Sequence, residues 1–282
     1  MKTRNRLYYK SRLRLLCLLT ALLGLFGAGQ TWAGNPTTLT VGGTNALNGS
    51  YWKTNADGTL TEGSADNYNV HYDGNGTLTL KDATIKGTNT IGHVGAGIYA
   101  EGNLTIVLEG SSTVTGVQDP NGDSQSIRVS ENLTIQGGGS LTAQGAETSS
   151  GSSYGIFVIG SFTQQGGSVT AIGGDVSGSY NSAGLYVYGS TVTVQGGTLT
   201  ATGGTTGSGS YGISANGSVA VSDATVTVTG GTGNYSYGLY VNPSSPSVSP
   251  SVTLSGSGSL TARSGSATKT AGGIYLNNIW GS

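Results

Sequence analysis

From residue 68 onward, apolar and polar residues alternate in runs of three to five, and glycine-rich turns separate the runs. Gly184-Leu185-Tyr186-Val187, Val192-Thr193-Val194 and Leu199-Thr200-Ala201 are three consecutive examples. Strict alternation over so few residues predicts short strands with one buried face. A phrase of the form Gly-apolar-X-apolar recurs with anchors at Ile98, Ile127, Ile156, Leu185, Ile213, Leu239 and Ile274, in steps of 29, 29, 29, 28, 26 and 35 residues. Ser126 replaces the glycine in one copy, and a proline-bearing loop at 243–250 stretches the last step. No helical period is long enough to supply crossover helices. Three short strands per ~28 residues therefore predict an all-β, right-handed, single-stranded parallel β-helix whose coils pair at roughly 4.8 Å.

Three inward columns follow from this register. The first is the anchor series itself. The second runs Leu104, Leu133, Phe162, Val192, Val219 and Val252, and the third Val114, Leu141, Val169, Leu199, Val226 and Leu260. The 77–85 stretch resembles 218–226, so the first coil is expected to begin near Tyr68 and the helix to occupy 68–282 with its last coil incomplete. Residues 34–67 are expected to form a β-rich cap, because an open end of stacked strands is an aggregation hazard. No polar C-terminal cap is visible before Trp280-Gly281-Ser282, which leaves end-to-end self-association open.

Composition agrees with many short strands and tight turns. Gly supplies 51 of 282 residues and only 9% are charged. Residues 1–33 are set apart: Arg4, Arg6, Lys10, Arg12 and Arg14 precede an apolar stretch at 15–26, and Thr31-Trp32-Ala33 offers small residues at −3 and −1. That is a secretory signal peptide, too short to span a bilayer and removed near Gly34, so no membrane insertion is expected afterwards. Its loss removes six of twelve Lys and Arg and none of thirteen Asp and Glu, which leaves a formal charge of −7 and no cysteine. No basic footprint for nucleic acid remains, and stability must come from stacking rather than disulfides.

Gly97-Ile98-Tyr99-Ala100-Glu101-Gly102-Asn103-Leu104-Thr105-Ile106, its later copies and the 68–86 stretch resemble the surface β-helix repeats of gut and cellulolytic bacteria. Those proteins are described as carbohydrate-binding-domain or adhesin-like, with pectin-lyase-like architecture. The resemblance covers roughly residues 37–279 and implies a secreted or cell-surface bacterial protein. It also implies binding of acidic polysaccharide with calcium, although no calcium ligand of the family is matched residue by residue.

The outward positions of the first strand are Tyr99, Arg128, Phe157, Tyr186, Ser214, Tyr240 and Tyr275. Five are aromatic, and rings suit stacking on the C–H face of a pyranose. Tyr99, Phe157, Tyr186, Tyr240 and Tyr275 are thus the candidate platform for a polysaccharide or host glycan. The competing account is a ladder that only stabilises the stack. Asp119-Pro120-Asn121-Gly122-Asp123 alternates oxygen donors as calcium favours, but lacks the remaining ligands of a calcium-binding loop, so a turn is the first reading. No other cofactor is indicated. A lyase or hydrolase would need clustered acids with Arg or Lys. Arg128 stands alone near Glu101 and Glu131, and His71 and His93 are the only histidines. A non-enzymatic protein is expected.

On the third strand, Thr115, Thr142, Thr170, Thr200, Thr227 and Thr261, preceded by Thr113, Ser140, Ser168, Thr198, Thr225 and Ser259, form a two-column hydroxyl lattice of the kind an ice-binding surface requires. Tyr154, Tyr211 and Tyr237 are expected to pack at a corner without a functional role. The leading expectation is polysaccharide binding on the aromatic face. The alternative is an adhesin-like spacer, with any ligand on the loops at 117–125, 146–153, 174–182 and 243–250.

Overall fold

The computed structural model describes residues 34–88, 90–243 and 249–277; the expected leader at 1–33, the middle of the 243–250 loop and Trp280 to Ser282 lie outside the described residues. The chain from Gly34 folds as an all-β solenoid of about six turns, ~29 residues each, built from three parallel sheets. The first sheet stacks Val94–Glu101, Asp123–Val129, Ser153–Val158, Ser182–Val187, Gly209–Ala215, Gly233–Val241 and Ala267–Leu276. The second stacks Thr77–Lys81, Leu104–Glu109, Leu133–Gly137, Phe162–Gln164, Val192–Val194, Val219–Ser222 and Val252–Ser255. The third stacks Thr84–Lys86, Ser111–Thr115, Ser140–Gln144, Ser168–Ile172, Gly197–Thr202, Ala224–Thr229 and Ser259–Arg263.

Antiparallel strands cover the N-terminal edge. Thr38–Val41 pairs antiparallel with Val94–Glu101, and Val70–Tyr72 pairs antiparallel with Thr77–Lys81, with Tyr51–Thr54 beyond it. Parallel stacking in the second sheet therefore begins at Thr77–Lys81.

The lumen is lined as alternation requires. Ile98, Ile127, Ile156, Leu185, Ile213 and Leu239 are buried, as are Leu104, Leu133, Phe162, Val192 and Val219. Each such side chain contributes about 1.5–3 kcal/mol over an exposed one. In the last coil Ile274 and Leu254 are half exposed at inward positions.

Two early registers differ from the sequence reading by two residues. In the third sheet Val114 pairs with Ala143, and Ser112 pairs with Leu141. Val114 thus belongs to the column of Ala143, Ala171 and Ala201, and Ser112 holds the place expected for an aliphatic residue. Ser112 is buried there because its Oγ accepts the Ala83 N–H at 3.0 Å. Likewise Leu78 pairs with Ile106, in the column that later reaches Val221, not Val219. A two-residue slip leaves every side chain on its own face, so the alternation pattern is blind to it.

A second buried column escaped the sequence reading. Ser124, Ser153, Ser182, Ser210 and Ser236 pair in register at the start of the first sheet, and all are buried. The Ser153 Oγ donates to the Ala146 carbonyl at 2.7 Å and accepts the Gly174 N–H at 3.0 Å. Ser182 repeats the bridge with Gly174 and Gly204, both at 2.8 Å. From Ser153 to Ser236 each serine thus joins the turn of its own coil to the turn of the next, satisfying backbone groups that no strand ladder reaches.

Candidate functional site

The outward column of the first sheet is continuous. Tyr99 pairs with Arg128, then Phe157, Tyr186, Ser214, Tyr240 and Tyr275 follow in unbroken register. All but Ser214 are partly exposed. Phe157 and Tyr186 stack with centroids 5.4 Å apart and planes at 4°; Tyr240 and Tyr275 do so at 5.5 Å and 9°. These are offset stacks, in which each ring covers part of its neighbour's face. Within these two pairs the stacking covers part of the ring faces, so ring edges and phenolic hydroxyls make up much of the outward surface of the ladder.

Arg128 does not interrupt the column electronically. Its guanidinium lies 5.0 Å from the Phe157 centroid and 5.9 Å from that of Tyr99, bridging the two rings by cation–π attraction. Its Nη1 donates to Gln125 Oε1 at 3.2 Å. Glu101 closes the N-terminal end: its carboxylate accepts the Thr38 hydroxyl at 2.7 Å and the Tyr99 hydroxyl at 2.9 Å. The Thr38 bond first, and the Tyr99 bond next, hold the Glu101 carboxyl below its usual range.

Tyr154, Tyr211 and Tyr237 do not merely turn a corner. They form a buried row behind the ladder, in register with Ala183 and Gly272. Tyr154 packs 5.5 Å from Phe157 and 5.0 Å from Tyr186. Tyr211 lies 4.9 Å from Tyr240, and Tyr237 lies 4.9 Å from Tyr275. Small residues make room for this. Tyr237 shields Gly272, where a Cβ would stand 3.3 Å from its Cδ1, and the small Ser214 occupies the rung between Tyr186 and Tyr240. Burial pushes the Tyr154 and Tyr211 phenols far above the ordinary tyrosine range and also raises Tyr99, Tyr186 and Tyr240.

One strand position beyond the ladder, two residues along, a polar column stands beside it. It includes Tyr188, Asn216, Asn242 and Asn277, aligned by backbone hydrogen bonds. The Asn277 amide donates to Asn242 Oδ1 at 2.7 Å. Tyr188 is 55% exposed, and among the described residues no other ring stacks against it. These residues were not singled out from sequence; the signal was an outward position at i+2 from each ladder residue.

The remaining candidates separate. Asp119 is buried and accepts the N–H of Asn121 at 2.8 Å, an Asx-type turn. Asp123 accepts the Ser152 N–H at 2.8 Å and the Gln125 amide at 3.3 Å, tying its coil to the next. Asp119 thus serves its own turn and Asp123 a bridge between coils, and among the described residues no three His, Cys, Asp or Glu side chains form a metal-binding group. His71 stacks on Tyr51 with centroids 3.9 Å apart, in the N-terminal antiparallel strands. No helix among the described residues is long and apolar enough to cross a membrane.

No protein-family model matches the chain, and neither a curated protein nor a solved structure is significantly similar to it. What stands from the resemblance to surface repeat proteins is the β-solenoid with surface-exposed aromatic clusters.

Proposed function

We propose that this is a non-catalytic, secreted or surface-displayed polysaccharide-binding protein that meets its glycan on the outer face of the first sheet. The observation that carries the reading is a strip two columns wide and free of charge through its C-terminal half. Aromatic edges and phenols from Tyr186, Tyr240 and Tyr275 form one column; the amides of Asn216, Asn242 and Asn277 form the other. Amides and phenols pair with sugar hydroxyls, and the open face of Tyr188 suits a pyranose C–H face. Tyr99 and Phe157 extend the strip toward the N-terminus around Arg128. Each coil offers one weak contact, so affinity grows by avidity along a rigid ladder. The basic and apolar leader at 1–33 supports secretion.

The mutual stacking of the rings favours a second reading, an adhesin-like spacer whose ladder only stiffens the stack. Affinity electrophoresis of residues 34–282 through gels containing neutral or uronic polysaccharides, with and without calcium, separates the two. Retardation that weakens in Tyr188→Ala and disappears in Tyr186→Ala/Tyr240→Ala, with unchanged circular dichroism, is the expected result. Calcium dependence would bring the Asp119, Asn121 and Asp123 loop into the site. No retardation by any polymer would leave the spacer.

A further inference from the structure

The third sheet carries a different surface. Among the described residues it is the one sheet whose seven strands are all parallel, with no register shift between neighbouring strands. The corrected register changes what its outer face presents. The column running from Thr84 through Thr113, Thr142 and Thr170 to Thr261 is threonine at all seven rungs. The adjoining column from Ser111 to Ser259 is serine or threonine at every rung. Rungs repeat at about 4.8 Å along the solenoid, and the two columns stand about 6.6 Å apart, the rise of two strand residues. Neither column contains a charge; Lys86 and Arg263 mark the two ends of the next column on one side, and on the other the Asp82 and Asp223 carboxylates accept the Ser111 and Ser257 N–H groups at 2.8 and 2.9 Å in the turns leading into the sheet.

We infer that this face binds ice. The hydroxyls of the serine-containing column order one another along the stack, with Ser140 to Ser111 at 3.0 Å and Thr198 to Ser168 at 2.9 Å. Among the described residues the hydroxyls of Thr142, Thr170, Thr200 and Thr227 make no hydrogen bond to protein, and each keeps some exposure to solvent. Threonine is β-branched and stiff at χ1, so successive rungs repeat one arrangement of methyl and hydroxyl. A soluble, flexible ligand gains little from such a lattice, because each contact is weak and the ligand must be ordered to make many. A crystal of water is already ordered, is uncharged, and offers donors and acceptors in a fixed two-dimensional period. Crystalline polysaccharide shares that periodicity but is gripped best by aromatic rings. The seven strands of the third sheet carry no aromatic residue.

The test compares residues 34–282 with Thr170→Tyr/Thr200→Tyr, which plants two bulky rings in the lattice, and with Thr163→Tyr on the outward face of the second sheet. Uptake into a slowly growing ice surface and inhibition of ice recrystallisation are the readouts, with circular dichroism confirming the fold. The expected result is ice uptake by the wild type, reduced about tenfold or more in the double variant and retained in Thr163→Tyr. Absence of uptake by a folded wild type overturns the inference. So does equal loss in both variants, or adsorption to microcrystalline cellulose but not to ice that the double variant abolishes. Glycan retardation through the first sheet is read separately, so neither proposal stands or falls with the other.

Discussion

Replacing Ser182 by alanine tests the buried serine column directly. The Ser182 side chain is fully buried; its Oγ donates to the Gly174 carbonyl and accepts the Gly204 N–H, both at 2.8 Å. Alanine keeps the shape except for the oxygen but strands both partners. A buried acceptor left unpaired costs about 1–3 kcal/mol, and the half-exposed amide loses a bond worth about 0.5–1.5 kcal/mol. Ser182→Ala should therefore lose about 2–4 kcal/mol. Coils interact chiefly with their neighbours, so the damage concentrates at the adjoining turns and global unfolding can depart from two states. Amide exchange read residue by residue is the better assay. The Gly204 amide should exchange roughly thirty- to several-hundred-fold faster, since 1.4 kcal/mol is a factor of ten. Ser153→Ala should act in the same way on the Gly174 amide, its own partner. An unchanged Gly204 rate, with a denaturation midpoint equal to the wild type, would show that the hydroxyl bridges nothing.

Three further outcomes follow from the packing and titration of the molecule. Gly184→Ala should cost about 3 kcal/mol or more, because its Cβ would stand 2.5 Å from the Ala171 carbonyl oxygen and the Thr202 nitrogen. Gly184→Ser should recover about 1 kcal/mol of that by donating to Ala171, as the equivalent Ser126 donates to the Val114 carbonyl at 2.7 Å; equal thermal midpoints would refute it. Burial raises the Tyr154 and Tyr211 phenols, so their contribution is complete below the unfolded tyrosine pKa of about 10 and fades as pH rises through the folded values. Ultraviolet titration should show two late-ionising phenols, reduced to one in Tyr154→Phe, with unfolding at alkaline pH. Asp73 is opposed by burial yet held below its usual range by the N–H groups of Thr77 and Asn75, so its contribution is present above the unfolded pKa and lost as pH falls through the folded one. The amides of Asn75 and Thr77 should lose protection in acid, and Asp73→Asn should remove that pH dependence.

Alternation and a repeat near 29 residues determined the solenoid, its three faces and nearly every lumen residue, because a period of two assigns sides without reference to any partner. The outward aromatic column was legible for the same reason: Tyr186 and Tyr240 follow Leu185 and Leu239 in every reading of the phrase. Register in the first coils was not, since Val114 and Leu141 fit the same face whether or not they face each other. Only pairing placed Ser112 opposite Leu141 and thereby completed the threonine column at Thr113 and Thr84. Ring orientation likewise depends on what stands behind each ring. Tyr154 and Tyr237, paired with Ala183 and Gly272 29 and 35 residues on, pack against the ladder rings Tyr186 and Tyr275 at 5.0 and 4.9 Å. Gln164 looks polar in sequence, yet it sits in the lumen, where its amide donates to the Thr198 carbonyl at 3.0 Å, 34 residues later, and to the Gly166 and Gly167 carbonyls at 3.3 Å. Side-chain sidedness is a local property of the backbone. The partner that makes a polar group tolerable or a ring turn is set one coil away, where short-range pattern carries no information.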